Sequence, residues 1–155
     1  MNYITNDGYR RVTAELKILW FDQRPKIVKA INVAAAEGDR SENAEYIYRK
    51  KEIRELDRKI RYLEKHLKDI NIVLDKPTHT NKVFFGAWVT LNEIKTAKII
   101  TYRIVGMIES RPECNEISMH TPVAKALLGK SLDSEVNIKV PSGEIKKYII
   151  SAVKY

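Results

Sequence analysis

The sequence has 155 residues, of which 44% are hydrophobic and 31% charged, with 6 Gly and 5 Pro. This composition excludes collagen-like and broadly disordered chains, in which Gly and Pro dominate or apolar residues are scarce. Because 28 Lys and Arg face 20 Asp and Glu, the net charge is +8. A basic chain favours an acidic partner, which is either nucleic acid or an acidic protein surface.

The sequence carries no signal for secretion, for membrane insertion or for a metal site of its own. The first residues, MNYITNDGYRR, lack the apolar core of a signal peptide, and no apolar run approaches the ~20 residues of a membrane span. Cys114 is the single cysteine, which excludes a disulfide framework and paired Cys-x-x-Cys zinc ligands. His66, His79 and His120 also lack ligand spacing. We therefore expect a soluble, cytoplasmic protein.

Residues 2–74 contain one proline and two glycines and read as helix. A first apolar seam comprises Tyr9, Val12, Leu16, Leu19, Gln23 (a polar exception), Ile27, Ala30 and Ala34. A second comprises Ile53, Leu56, Ile60, Leu63, Leu67, Ile70 and Leu74, with Ala44 and Ile47 extending it towards the turn. Two seams joined by a short connection at Gly38 predict an antiparallel coiled-coil hairpin over 1–74. Pro25 removes one hydrogen bond from the first helix and predicts a kink.

Residues 82–155 have the composition of a small β-rich domain with one short helix. Strands are predicted at 83–91, 99–105, 135–140 and 146–153, where β-branched and aromatic residues are frequent. Thr121 as N-cap, Pro122 at the first helical position and Gly129 at the end predict the helix. A hairpin turn is predicted at 141–143. With a linker at 75–81, the fold class is α+β.

The connection between the long helices, the hairpin tip (residues 37–45), concentrates acidic residues. Gly38 suits the left-handed conformation that ends a helix. Asp39 and Glu42 have the spacing of a capping box, and Ser41 is a second candidate cap. Alternatively, Asp39, Glu42 and Glu45 are exposed magnesium ligands, in which case another molecule completes the coordination shell. The two interpretations are compatible if Ser41 caps the helix.

The second helix is strongly basic, with nine Lys and Arg against four acids over residues 46–68. Three acids precede a base by four residues and predict helical ion pairs: Glu55–Lys59, Asp57–Arg61 and Glu64–Lys68. Four of the bases without such a partner fall along one side of the helix: Lys50, Arg54, Arg58 and Lys65. This line favours contact with a phosphate backbone over simple solvation. Tyr46 and Tyr48 could stack on bases or pack within the hairpin.

The motif GDRSENAEY at 38–46, followed by YRKK at 48–51, resembles the Gre transcript-cleavage factors of bacterial RNA polymerase. The similarity covers the whole chain, including RP at 24–25, KVFFGAWV at 82–89, YRIVG at 102–106 and TPVAKALL at 121–128. Arg40 and Ser41, the FFGAW run and the dense basic stripe resemble the GreB branch. Glu45 instead follows GreA usage.

This resemblance implies a monomer with an N-terminal coiled coil and a C-terminal FKBP-like domain. The globular domain would dock on RNA polymerase, through residues that include Pro122 and Lys125, while the hairpin enters the secondary channel. Asp39 would help to hold a second Mg²⁺ jointly with the polymerase, and Glu42 would orient or activate the attacking water.

The resemblance also implies that the chain is not an enzyme on its own. The nascent RNA 3′ end would lie along Arg49, Lys50, Arg54, Arg58, Arg61 and Lys65. The tip would be supported by Gly38, Ser41, Asn43, Glu45 and Tyr46.

Three other functions are compatible with parts of the sequence. The hairpin could occupy the polymerase channel without promoting cleavage, although Asp39 and Glu42 argue against this. It could be an RNA-binding arm like those of some tRNA-binding enzymes. The C-terminal domain could be a prolyl isomerase by fold analogy, but no active-site signature supports that activity.

Overall fold

The structure is a computed structural model that describes residues 2–38 and 42–155. It contains two compact units, one formed by Met1–Tyr9 together with Asn71–Tyr155 and the other by Arg10–Ile70. Within the described ranges, no helix is both long enough and apolar enough to cross a membrane. The combination of a helical unit with a β-rich unit confirms the predicted α+β class.

The helical unit is the predicted hairpin. Its first arm contains α1 (Asn6–Ile18), a π-helical segment (Leu19–Gln23) and α2 (Arg24–Ala36), and its second arm is α3 (Ala44–Leu67). The buried side chains belong to the two predicted seams: Val12, Leu19 and Ala34 on the first arm, and Ile53, Leu56, Ile60 and Leu63 on α3. Burial of both apolar stripes is what stabilises helices of this length in water.

The predicted extension of the second seam to Ala44 and Ile47 is wrong. Both residues are exposed, with Ile47 at 51%. The positions four and then a further three residues before Ile53 are Arg49 and Tyr46, and both residues are half-buried. The seam therefore ends in polar residues near the tip.

The π-helical segment explains how the first arm accommodates Pro25. The Arg24 N–H donates to the carbonyl of Leu19, five residues earlier, so this turn contains one residue more than an α-helical turn. The seam has two successive four-residue steps here, from Leu19 to Ile27, where a strict heptad would have a four and a three. The π-helical turn thus supplies the one additional residue that this longer spacing contains. It lies directly before Pro25, which lacks an N–H donor.

Two short strands lie where the sequence predicted helix. β1 (Tyr3–Thr5) and β2 (Asn71–Val73) pair in parallel, with Ile4 opposite Ile72. Ile4 and Thr5 are buried, and their β-branched side chains suit a strand better than a helix. The backbone pairing joins the first nine residues to the β-rich unit, so the compact units differ from the predicted division at 75–81.

The β-rich unit is built on a five-stranded sheet with the order β5-β4-β3-β7-β6. Its strands are β3 (Trp88–Glu93), β4 (Ile99–Val105), β5 (Glu116–Ser118), β6 (Glu135–Lys139) and β7 (Ile145–Lys154). Its core contains Val89, Leu91, Ile104 and Ile150 from the sheet and Leu127 from the short helix α4 (Pro122–Leu127).

The sequence located three of the main strands, the helix and its cap, and the last hairpin turn. Thr121 accepts a hydrogen bond from the Ala124 N–H at 3.2 Å, as expected of an N-cap. The Val140 N–H donates to the Glu144 carbonyl at 2.9 Å across the predicted turn. The strand predicted at 83–91 begins only at Trp88, because Gly86 has a positive φ of 88° that interrupts an extended segment. β5 was not predicted.

A buried carboxylate holds the β-rich unit together near its N-terminal strand. Glu109 is 2% exposed, and its Oε2 accepts hydrogen bonds from the Thr5 N–H at 2.8 Å and the Gly106 N–H at 2.9 Å. Its Oε1 accepts from the Thr5 hydroxyl, which in turn accepts from the Gly8 N–H at 3.0 Å. A Cβ at Gly106 would lie 2.1 Å from the Tyr3 carbonyl oxygen, so only glycine fits there.

Candidate functional site at the hairpin tip

The first arm ends in a short turn after α2. The Glu37 N–H donates to the Ala34 carbonyl at 3.2 Å, and Gly38 is exposed with a φ of 156°. That positive angle lies in the range that favours glycine, as predicted for the end of this helix, although it is larger than the left-handed helical value of about 57°. The predicted roles of Asp39 and Ser41, and the motif residue Arg40, lie outside the described residues.

Glu42 is exposed and precedes the N-cap of α3. The cap is Asn43, whose Oδ1 accepts a hydrogen bond from the Tyr46 N–H at 3.2 Å. Glu42 lies one residue before the cap, so it cannot supply the third helical residue of a capping box. The capping-box prediction for Asp39 and Glu42 is therefore wrong. Within the described parts of the chain, the Glu42 carboxylate has no ion pair or hydrogen bond and is available for other contacts.

Glu45, in contrast, is held by Arg49. The Arg49 Nε donates to the Glu45 carboxylate at 2.8 Å, and its Nη1 donates to Glu52 at 2.8 Å. These hydrogen bonds, the one to Glu52 first, raise the pKa of the Arg49 guanidinium above its ordinary value. The guanidinium also lies 5.4 Å from the ring centroid of Tyr48. Of the two predicted acidic ligands that the structure describes, only Glu42 is free of such contacts.

The described residues of the tip offer magnesium only a partial ligand set. No cluster of three or more His, Cys, Asp or Glu side chains suited to a metal ion occurs in the ranges 2–38 and 42–155. The Glu42 carboxylate is a hard oxygen donor of the kind that Mg²⁺ takes, one or two per site, alongside water and phosphate oxygens. Its chemistry therefore suits a site whose other ligands come from a second molecule.

The five acidic residues of α3 are all engaged, and none is paired with the predicted unpaired bases. Glu45 and Glu52 bind Arg49, Asp57 binds Arg24 of α2 at 3.0 Å, and Glu64 accepts from the Trp20 indole at 2.8 Å. Glu55 lies 4.0 Å from Lys51. The negative charges are thus paired with the first arm or with other bases of α3.

All three predicted helical ion pairs are wrong for the same physical reason. Lys59 pairs with Glu15 of α1 at 2.7 Å rather than with Glu55, while Asp57 and Glu64 turn to Arg24 and Trp20. The hairpin brings first-arm side chains beside α3, and each takes one member of a predicted pair: the base Lys59, or the acid Asp57 or Glu64. Arg61 and Lys68 have no ion pair within the described residues.

The bases that remain form one basic face of α3, comprising Lys50, Arg54, Arg58, Arg61 and Lys65. Steps of four, four, three and four residues keep them on one side of the helix. Four are exposed and Lys50 is half-buried. None has an ion pair with any residue that the structure describes. Arg49, which was predicted to belong to this set, instead occupies a seam position beside its two glutamates.

Tyr46 and Tyr48 differ in exposure. Tyr48 is 58% exposed, while Tyr46 is half-buried. The backbone N–H of Tyr46 donates to the Asn43 side chain.

In the β-rich unit, the predicted docking residues Pro122 and Lys125 both lie exposed on α4. Cys114 is an exposed free cysteine.

Sequence reasoning named Asn43 as tip support but missed its function as the cap. Asparagine is as good an N-cap as serine or aspartate, and it directly precedes the helical run, which is the signal that could have identified it. The partners of the α3 acids carried no comparable signal, because they lie far away in sequence.

Comparison with known proteins gives one consistent result. The N-terminal family model for transcription elongation factors matches residues 2–72, and the C-terminal GreA/GreB model matches residues 77–155. The chain is 52% identical to the transcription elongation factor GreB of Pasteurella multocida, covering 96% of this chain and 93% of that protein. It is 51% identical to GreB of Haemophilus influenzae, with the same coverage.

Identity to GreB of Pseudomonas aeruginosa is 46%, over 98% of this chain and 89% of that protein. A solved structure of a GreA/GreB elongation factor from Nitrosomonas europaea aligns with 99% of this chain and 98% of its own, at 18% identity and a TM-score of 0.47. The family models and the GreB relatives cover nearly the whole sequence. The chain belongs to the GreA/GreB family of transcription elongation factors.

Proposed function

We propose that the protein binds RNA polymerase and stimulates endonucleolytic cleavage of the 3′ RNA in backtracked or arrested complexes, so that elongation restarts. Family membership supports this function, and the GreB relatives favour the GreB branch. One observation of the structure carries the proposal. Glu42 stands exposed and unengaged in the turn of a hairpin whose second arm directs all five of its own acids elsewhere.

In this proposal, the hairpin enters the secondary channel and brings the tip acids to the polymerase active centre. Asp39 and Glu42 would contribute carboxylate ligands to a magnesium site shared with the polymerase. That ion, when bound, would supply electrostatic stabilisation of the charge that develops during phosphodiester hydrolysis. Glu42 would also accept a hydrogen bond from the attacking water and so orient it towards the phosphorus.

The basic face of α3 would hold the extruded RNA. Its five cations are not neutralised by the acids of their own helix, so they can be neutralised by phosphates instead. Arg49 is tied to Glu45 and Glu52 and is not part of this contact. Tyr48, which is exposed near the N-terminus of α3, offers a ring on which an unpaired base could stack.

The protein would be an accessory factor that lends carboxylates to the polymerase and has no cleavage activity alone. It would act in the cytoplasm as a monomer, bound to polymerase through the β-rich unit. The exposed α4 residues Pro122 and Lys125 are candidates for that docking contact.

The test is cleavage of labelled RNA in purified backtracked complexes. Asp39→Asn and Glu42→Gln are expected to lower stimulated cleavage at least 100-fold while leaving polymerase affinity within about twofold, since each removes one charge without changing side-chain size. Glu37→Gln is the matched control, because Glu37 is an exposed glutamate on the other side of the turn. Full cleavage by both tip variants would refute the proposal. A wild-type protein that binds polymerase without promoting cleavage would instead indicate a non-catalytic channel regulator.

A further inference from the structure

The side chain of Asn43 connects the two arms of the hairpin at the tip. Its Oδ1 accepts from the Tyr46 N–H at 3.2 Å, and its Nδ2 donates to the Ala34 carbonyl at 2.6 Å. The Asn43 carbonyl also accepts from the Ile47 N–H at 3.0 Å. Asn43 therefore caps the N-terminus of α3 and links it to the last turn of α2.

The partner on α2 is suited to this bond. Ala34 is 1% exposed and lies in the last turn, where the helix leaves its carbonyls without the usual partners. The same carbonyl accepts from the Glu37 N–H at 3.2 Å. The Ala34 carbonyl oxygen is thus bound both by the turn that follows α2, through the Glu37 N–H, and by the Asn43 carboxamide that caps α3.

Asparagine is the side chain that can make both contacts. It carries a separate acceptor and donor at the end of a short side chain. Aspartate has the same length but can only accept when ionised, and serine has one shorter hydroxyl. Either replacement would keep the helix cap and lose the bond to Ala34.

We propose that Asn43 is a positioning residue for transcript cleavage. Glu42 is covalently adjacent to Asn43, so fastening Asn43 to both arms fixes the backbone from which the Glu42 carboxylate extends. Misplacement of a reacting group by about 1 Å can cost on the order of 100-fold in rate. This inference rests on the proposed function, in which Glu42 acts at the polymerase active centre.

The experiment compares Asn43→Asp and Asn43→Ser with wild type in backtracked complexes. Asn71→Asp is the matched control, because the Asn71 Nδ2 also donates to a backbone carbonyl, that of Asn2 at 3.3 Å, in the β-rich unit. Both Asn43 variants are expected to lower the cleavage rate at saturating factor by about 10- to 100-fold. Affinity for polymerase should stay within about twofold. The neutral serine variant separates loss of the bond from the added charge of aspartate.

Hydrogen exchange in the free protein provides a readout that does not depend on cleavage. Amides in a peptide spanning the tip are expected to exchange about tenfold faster in both Asn43 variants and unchanged in Asn71→Asp, since the closing bond is lost. Wild-type cleavage rates for both Asn43 variants would overturn the inference. So would a loss that saturating factor fully restores, because that result indicates weaker docking. Full activity of Glu42→Gln would instead refute the proposed function itself, whatever the exchange data show.

Discussion

The buried carboxylate of Glu109 gives the sharpest stability prediction for the β-rich unit. Glu109→Ala removes the acceptor of two buried backbone N–H groups, those of Thr5 and Gly106, and of the Thr5 hydroxyl. Each buried donor left without a partner costs about 1–3 kcal/mol. The hydroxyl can rotate to another acceptor, and water entering the vacated space would satisfy part of the rest. We therefore expect a loss of about 3 kcal/mol in the free energy of unfolding, a large part of the typical 5–15 kcal/mol.

Glu109→Gln is expected to cost much less, about 1 kcal/mol. The amide oxygen can take the place of Oε2 and keep both backbone N–H bonds. The amide nitrogen then faces the Thr5 hydroxyl, which can accept from it because a hydroxyl both donates and accepts. The Thr5 hydroxyl proton must then turn to another acceptor, and the strengthening contributed by the negative charge is lost.

The positions of the two tryptophans allow the free energy of unfolding of the β-rich unit to be measured separately. Trp88 lies in the central strand β3, while Trp20 lies in the helical hairpin. In a Trp20→Phe background, urea unfolding followed by tryptophan fluorescence reports on Trp88 alone. Glu144→Ala is the control, because Glu144 is an exposed glutamate of the same unit. Equal destabilisation by the alanine and glutamine variants at position 109, or none by alanine, would refute the reasoning.

Two further predictions concern the basic face and the last residue. The double variant Arg54→Ala, Arg58→Ala should reduce the steepness of log affinity for a backtracked complex against log salt concentration by about 1.4, because each phosphate contact on a single strand contributes about 0.7. Replacing Lys51 and Lys59 with alanine should change the slope less, because both lysines pair with acids. Equal slopes for the two double variants would contradict the assignment of the basic face. Burial raises the pKa of the Tyr155 hydroxyl above its ordinary value of 10.0. The folded state therefore loses this proton at a higher pH than the unfolded chain, and stability falls as the pH rises above about 10. Tyr155→Phe should flatten that alkaline loss in urea titrations and cost about 1 kcal/mol at neutral pH through lost hydrogen bonds, whereas an unchanged alkaline slope would rule out this contribution.

The sequence by itself determined the hairpin, because a repeated three- and four-residue spacing can bury a stripe only against a second helix. It also determined α4 with its Thr121 cap, since these depend on neighbouring residues, whereas for Glu42 it left a capping residue and an exposed ligand as alternatives. Even the one extra residue before Pro25 was visible as two successive four-residue steps, although only the structure identified it as a π-helical turn.

Tertiary structure alone decided which charges remain free. Helical spacing paired Asp57 with Arg61, whereas the folded hairpin pairs it with Arg24, 33 residues earlier. The same packing moved Arg49 from the basic face to the seam and gave Asn43 its bond to Ala34. Spacing along one helix cannot reveal such contacts, because a hydrogen bond or ion pair depends on distance in space, and the fold sets that distance for residues remote in sequence.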